Sequence, residues 1–296
     1  MTKVKVFFIV LAIILIGAGV AAVSVAYAKG YRIEEDKDLV TNTIEISDDF
    51  TSIDADMISS LEIVKGDSAK AEVTESDKIT HELKVVDGTL KITSTDNTKW
   101  YQKYFIFTSK YKVKLYVTKD TFENLNVKSA VGTVVIKETL EFNKVNIENN
   151  TGSVNLEELT ANTINIKQDT GSLNMKNITV TGNLDIDGET GSVNLTGVNA
   201  STIKISLSTA SINLIDTFAV QDIRLNTSTG SIRFDNIDGA NIYMESSTGS
   251  IRGSIATPKI FVATSQTSRS VEVPNTTTGG RCEAKTSTGS IKITLK

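Results

Sequence analysis

Residues equipped for chemistry are few in this chain and widely spread. His81 is the single histidine and Cys282 the single cysteine among 296 residues. A histidine acting as a general base needs a nucleophile or carboxylate held beside it. No Ser or Cys pattern surrounds His81, so it reads as an exposed strand residue. One cysteine leaves no internal disulfide, no cysteine-based metal centre and no lipobox behind a hydrophobic leader. Cys282 reads as a small buried apolar residue. Glycosidic hydrolysis needs two carboxylates about 5–10 Å apart across a groove. Asp185 and Asp187 are a local pair on one strand and read as a solvated face. No catalytic residue, cofactor site or metal site is expected, and the calcium-binding nonapeptide is absent. The chain is read as not an enzyme.

A second chemistry, stacking on flat ligands, is offered by an aromatic stretch. Trp100, Tyr101, Tyr104, Phe105, Phe107, Tyr111 and Tyr116 are interleaved with Lys99, Lys103, Lys110, Lys112 and Lys114. Exposed, Trp100, Tyr101, Tyr104 and Tyr111 would form a contact for a ligand or partner, such as a cell-wall carbohydrate. The other reading has alternate aromatic residues filling a core while the lysines solvate the outer face.

The elements that would carry these residues are set by a repeat. Thr-Gly-Ser recurs at steps of 19 to 21, with its glycine at Gly152, Gly171, Gly191, Gly230, Gly249 and Gly289. Ala210 and Ser268 replace the glycine in two copies, and a fainter copy surrounds Gly132. A fixed period of this length is the mark of a solenoid. Around Thr170-Gly171-Ser172, apolar Ile164 and Ile166 precede the triplet, and Leu173, Met175 and Ile178 follow it. The same frame fits Leu184, Ile186, Val193, Leu195 and Val198 one repeat later, with polar residues between. Alternation with period two is a half-buried strand. Two such strands meeting at the triplet make one coil, and stacked coils bury a continuous apolar ladder. The triplet glycine suits a corner with positive φ. Ala210 would be strained if every corner were built that way.

The predicted fold is all-β: a single-stranded β-solenoid (β-helix) of about nine coils, roughly 40 Å long at about 4.8 Å per coil. It spans residues 121–296. The pattern slips after Thr267, where Val271 and Val273 come one place late beside Pro258 and Pro274, so one coil is expected to be irregular. Residues 43–120 alternate without the repeat and read as an irregular β cap, with a hairpin at Asp87-Gly88. Ile291, Ile293 and Leu295 complete the last coil, which is expected to be an open edge and an interaction site. One outward position reads Asn155, Asn174, Asn194, Asn213, Arg233, Arg252. Stacked asparagines form ladders along such a fold, and they would also present a regular polar face to glycan.

Lys3 and Lys5 precede an uncharged run from Val6 to Ala28, long enough for a bilayer, which takes about 20 apolar residues. Residues 6–28 are read as one transmembrane helix, a signal anchor, with 1–5 a cytoplasmic tail and 29–42 a linker. Cleavage after Ala28, at Ala26-Tyr27-Ala28, is the alternative. The remainder would be extracytoplasmic at the cell membrane. A net charge of −4 with scattered basic residues argues against nucleic acid as a partner.

Texture such as "NNTGSVNL", "QDTGSLNM", "TSTGSIRF" and "SSTGSIRG", over roughly residues 45–296, resembles the bacterial β-strand-repeat family labelled putative adhesin. That family includes LiaG-like membrane-anchored envelope proteins. The resemblance implies an extracytoplasmic solenoid, in some members tied to cell-envelope stress, with no catalytic motif to carry over. The expected function is a non-enzymatic, membrane-anchored scaffold for interaction or adhesion in the cell envelope. Its partner would be an envelope protein or a cell-wall polymer. A carbohydrate-binding module using the 100–116 aromatic residues is the alternative.

Overall fold

A computed structural model describes residues 39–98, 110–267 and 270–296, with the isolated helical positions Gly19, Ala21, Ser24, Val25 and Ala28. The expected tail, most of the anchor and most of the linker therefore lie outside the described residues. No helix among the described residues is long and apolar enough to cross a membrane.

Most of the described strands follow from the period-two alternation. The first seven are β1 (Val40–Glu45), β2 (Ser52–Ile58), β3 (Leu61–Lys65), β4 (Lys70–Glu75), β5 (Ile79–Val86), β6 (Thr89–Asp96) and β7 (Lys112–Val117). Five long strands each run through a corner: β8 (Thr121–Ile136), β9 (Leu140–Glu157), β10 (Leu159–Val180), β11 (Asn183–Ala200) and β12 (Thr202–Ala219). In later coils the corner breaks the strand, giving β13 (Asp222–Thr229) and β14 (Ile232–Asp238), then β15 (Asn241–Thr248) and β16 (Ile251–Ile255). The chain ends with β17 (Ile260–Ser265), β18 (Val271–Glu272), β19 (Arg281–Thr288) and β20 (Ile291–Leu295).

Successive coils pair in parallel, residue on equivalent residue: Ile164 on Leu184, Gly171 on Gly191, Met175 on Leu195. The product is a β-solenoid of about eight regular turns. Its interior is one apolar cluster running from Phe50 to Ile293. Full burial of each Ile or Leu contributes about 1.5–3 kcal/mol, and no single coil achieves it alone.

The corner is built as the triplet predicts, with a second reason for its glycine. Gly171 has φ 138°, and a Cβ there would stand 1.6 Å from the carbonyl oxygen of Gly152 one coil below. Ala210 escapes the expected strain because it does not adopt a positive φ. Polar side chains just before the corner point inward and bind the corner carbonyl of the preceding coil. Gln168 Nε2 donates to Gly152 O at 2.8 Å, Thr227 Oγ1 to Ala210 O at 2.8 Å, and Thr286 Oγ1 to Gly249 O at 2.9 Å. Asn149 holds this position in its coil, 1% exposed, yet neither of its amide atoms has a hydrogen-bond partner.

A second bend was not anticipated. Glu158, Asn177, Asp216 and Asn236 are left-handed, with φ from 48° to 57°, and Gly197 joins them at 65°. Asn and Asp tolerate this conformation better than other residues with a side chain. They also bond along the stack, as in Asn177 Nδ2 to Glu158 Oε1 at 2.6 Å.

The capping stretch does more than cover the first coil. β2 and β3 lie in parallel register on β8, Ile53 against Leu125 and Leu61 against Val134. Next, β6 lies on β2 and β7 on β3, and the antiparallel strands β5, β4 and β1 close this end. The hairpin forms at Asp87-Gly88 as predicted, with φ 49° and 71°. β1 starts at Val40, inside the stretch read as linker.

The far end departs from expectation. β19 and β20 pair with β15 and β16 on one side and with β17 and β18 on the other. The last strands in sequence therefore slide beneath the coil that precedes them. The irregular coil at residues 260–272 is displaced outward and becomes the edge, and it is the ninth coil beside the eight regular turns. The predicted open edge at Ile291–Leu295 is corrected in part: Ile291 and Lys292 lie between Ile251 and Arg252 on one side and Val271 and Glu272 on the other, whereas Ile293–Leu295 pair only with β16 among the described residues.

Candidate functional site

Trp100, Tyr101 and Tyr104 lie outside the described residues. Tyr111 is described and is buried, 1% exposed, with its hydroxyl 3.1 Å from Ser76 Oγ. Its ring fills the cap interior and offers no face to a ligand. Tyr116 is half-buried on β7, with the ammonium groups of Lys70 and Lys114 at 5.1 and 5.4 Å from its ring centre.

The single histidine and the single cysteine are both withdrawn from solvent. The His81 side chain is buried rather than exposed, with Nδ1 3.8 Å from Glu75 Oε2 and neither ring nitrogen hydrogen-bonded. Burial pulls its pKa below the ordinary value against the opposing pull of Glu75, which keeps the ring neutral. Cys282 is buried, and desolvation pushes its thiol up to about 12. A thiol of that kind is not a nucleophile at neutral pH. Among the described residues no three of His, Cys, Asp and Glu are grouped as a metal site.

What the fold does assemble is straight columns of outward side chains, one residue per coil. On the face after the corner, Asn174 Nδ2 donates to Asn155 Oδ1 at 2.8 Å, Asn194 to Asn174 at 2.9 Å and Asn213 to Asn194 at 2.8 Å. A second ladder on the face before the corner joins Asn165 to Asn146 at 3.0 Å and Asn146 to Asn126 at 2.8 Å. Both are half-buried and satisfy themselves, so the asparagines fix register. The six corner glycines, Gly152, Gly171, Gly191, Gly230, Gly249 and Gly289, stack alongside them and serve the backbone.

Beyond each ladder the columns change character. Before the corner the register runs Asp185, Lys204, Arg224, Tyr243, Glu283. Here Arg224 stacks on Tyr243, 4.2 Å from the ring centre, and pairs with Asp222 at 2.7 Å. Glu283 is held by Lys285 and by Arg281 at 2.7 Å, which keep its carboxyl below the usual range. Lys204, Arg224, Tyr243, Glu283 and Lys285 line a shallow groove of about 330 Å³ with Ser206, Asn226 and Glu245. After the corner, the asparagines give way to Arg233, Arg252 and Lys292. Neither feature follows from the triplet, and the only sequence signal for them is the change of residue type at a fixed repeat position.

The architecture defines a class: a β-solenoid with a filled apolar interior and ordered polar columns outside. Residues 50–296 match the Toastrack DUF4097 family, and the chain belongs to it. Solved structures share the fold at low identity. A putative lipid binding protein from Parabacteroides distasonis is 18% identical with a TM-score of 0.56, over 88% of this chain and 98% of that one. A putative adhesin from Parabacteroides merdae is 15% identical with a TM-score of 0.51, over 88% and 97%. A putative adhesin from Bacteroides fragilis is 17% identical with a TM-score of 0.49, over 88% and 98%. No curated protein matches the chain.

Proposed function

We propose that this chain is a non-enzymatic scaffold of the cell envelope, tethered by its N-terminal apolar segment and exposed outside the cytoplasm. There it contacts an envelope protein or a cell-surface polymer. The observation that carries the reading is the coil-on-coil register, which converts a 20-residue sequence period into straight columns of exposed side chains on a filled, rigid rod. Such a surface suits an extended partner, which meets the same column coil after coil. Membership of the Toastrack family, with adhesin-like structural neighbours, supports the same reading. The buried, neutral His81 and the buried Cys282 thiol argue against a hydrolytic role for either.

The test compares cells expressing the full chain with cells expressing it without residues 1–28. Attachment to isolated envelope material and survival of envelope stress are both expected to fall when the tether is removed. Unchanged behaviour in both assays would contradict the proposal.

A further inference from the structure

The column after the corner changes abruptly along the rod. Four asparagines that bond one another are followed, in register, by Arg233, Arg252 and Lys292, all exposed. Neighbouring coils stand about 4.8 Å apart, and like charges directly opposite on adjacent strands repel. An asparagine ladder stabilises itself, whereas a cation ladder does not.

The surroundings only partly neutralise this column. Arg233 makes no ion pair among the described residues. Arg252 donates to Ser290 Oγ at 2.9 Å, and Lys292 meets Glu272 at 3.0 Å at the outer edge. Asp235 lies beside the column, bonded to Ser254 Oγ at 2.5 Å and 3.9 Å from Lys296 Nζ. Four cations thus face two carboxylates on a chain whose net charge is −4. Ser231, Ser250 and Ser290 stand two residues before each cation, on the same outward side, with the hydroxyls of Ser250 and Ser290 3.3 Å apart. Guanidinium forks flanked by hydroxyl donors match phosphate oxygens.

We infer that Arg233, Arg252 and Lys292 form a binding strip for a linear phosphate-bearing polyanion laid along the solenoid axis. A compact anion would meet one or two of these cations; an extended polymer meets all three. The exposed pairs with Glu272 and Asp235 are of the weakly held kind that a polyanion can displace. This inference rests on the scaffold reading above and names the chemistry of its partner.

The test uses the full chain in a neutral detergent with synthetic poly(glycerol phosphate) as probe, titrated over a range of salt. Three phosphate contacts predict that log K falls against log salt with a slope of about −2. The double variant R233Q/R252Q is expected to bind at least about tenfold more weakly, with its slope flattened to about −0.7. K167Q, which removes an exposed lysine before the corner, is expected to bind as the wild type does. Thermal melts verify that all three proteins are folded, which the exposed positions favour. No binding, equal loss in both variants, or binding only to phosphatidylglycerol vesicles would overturn the inference. Cell attachment that persists while the probe does not bind sinks the strip alone. Probe binding with attachment indifferent to residues 1–28 sinks the scaffold reading instead.

Discussion

At Gly171 two demands coincide, a φ of 138° and a Cβ position 1.6 Å from the Gly152 carbonyl oxygen. G171A is therefore expected to cost at least about 2 kcal/mol, because either the corner opens or the coils separate. A210G, at a corner with ordinary φ, is expected to cost about 1 kcal/mol or less through backbone entropy. Chemical denaturation of the two variants checks the contrast. Asn149 invites the opposite experiment. Its orphaned amide occupies a column where Thr227 and Thr286 donate to a corner carbonyl. N149T is expected to stabilise the fold by about 1 kcal/mol, since an unsatisfied buried polar group costs about 1–3 kcal/mol. An unchanged or lowered melting temperature would remove that explanation.

His81 makes a pH statement. Its folded pKa lies below the unfolded value of about 6.5, chiefly through burial. The unfolded chain then binds the proton more readily, so the stability held above about pH 6.5 is lost as the pH falls through the folded pKa. The melting temperature of the wild type is expected to drop more than that of H81L between pH 7.5 and 5.5. Parallel curves would mean that burial of His81 does not govern its titration.

Among the elements, the strands and corners were legible because side-chain period and glycine spacing are local properties. Ile164 and Leu184 announce their pairing by occupying the same place in the repeat. The second bend was also written in the sequence, as Asn177, Gly197, Asp216 and Asn236 six residues after each corner, but weakly. Three residue types share that position, and glutamate fills it at Glu158. Strand order at the far end was not legible. The repeat says that coils stack, and it does not say that they stack in sequence order. The late Val271 and the nearby prolines signalled an irregular coil without revealing its displacement outward. That order has a measurable consequence. Amides of Cys282–Thr286 lie between two strands and those of Phe261–Ser265 at the edge. Hydrogen exchange is expected to be slower in β19 than in β17, whereas stacking in sequence order predicts the reverse.

For the whole molecule, the repeat distinguished scaffold from site. The Thr-Gly-Ser triplet recurs because each coil needs the same corner, and what varies at fixed repeat positions carries individuality. Asn213 giving way to Arg233 is such a variation, as is Lys204 giving way to Arg224 and then Tyr243. These positions gained meaning only when the register set them side by side. Tyr111 shows the converse: an aromatic residue in a basic stretch suggested a contact surface, and its burial beside Ser76 makes it part of the cap interior.

The central claim is that the solenoid stands folded outside the cytoplasm. Its most direct measurement is maleimide labelling of protoplasts with a reagent that does not cross membranes. Exposed Lys167, replaced in K167C, is expected to label on intact protoplasts, while the wild type stays unlabelled because Cys282 is 1% exposed. Labelling of K167C only after lysis would contradict the account.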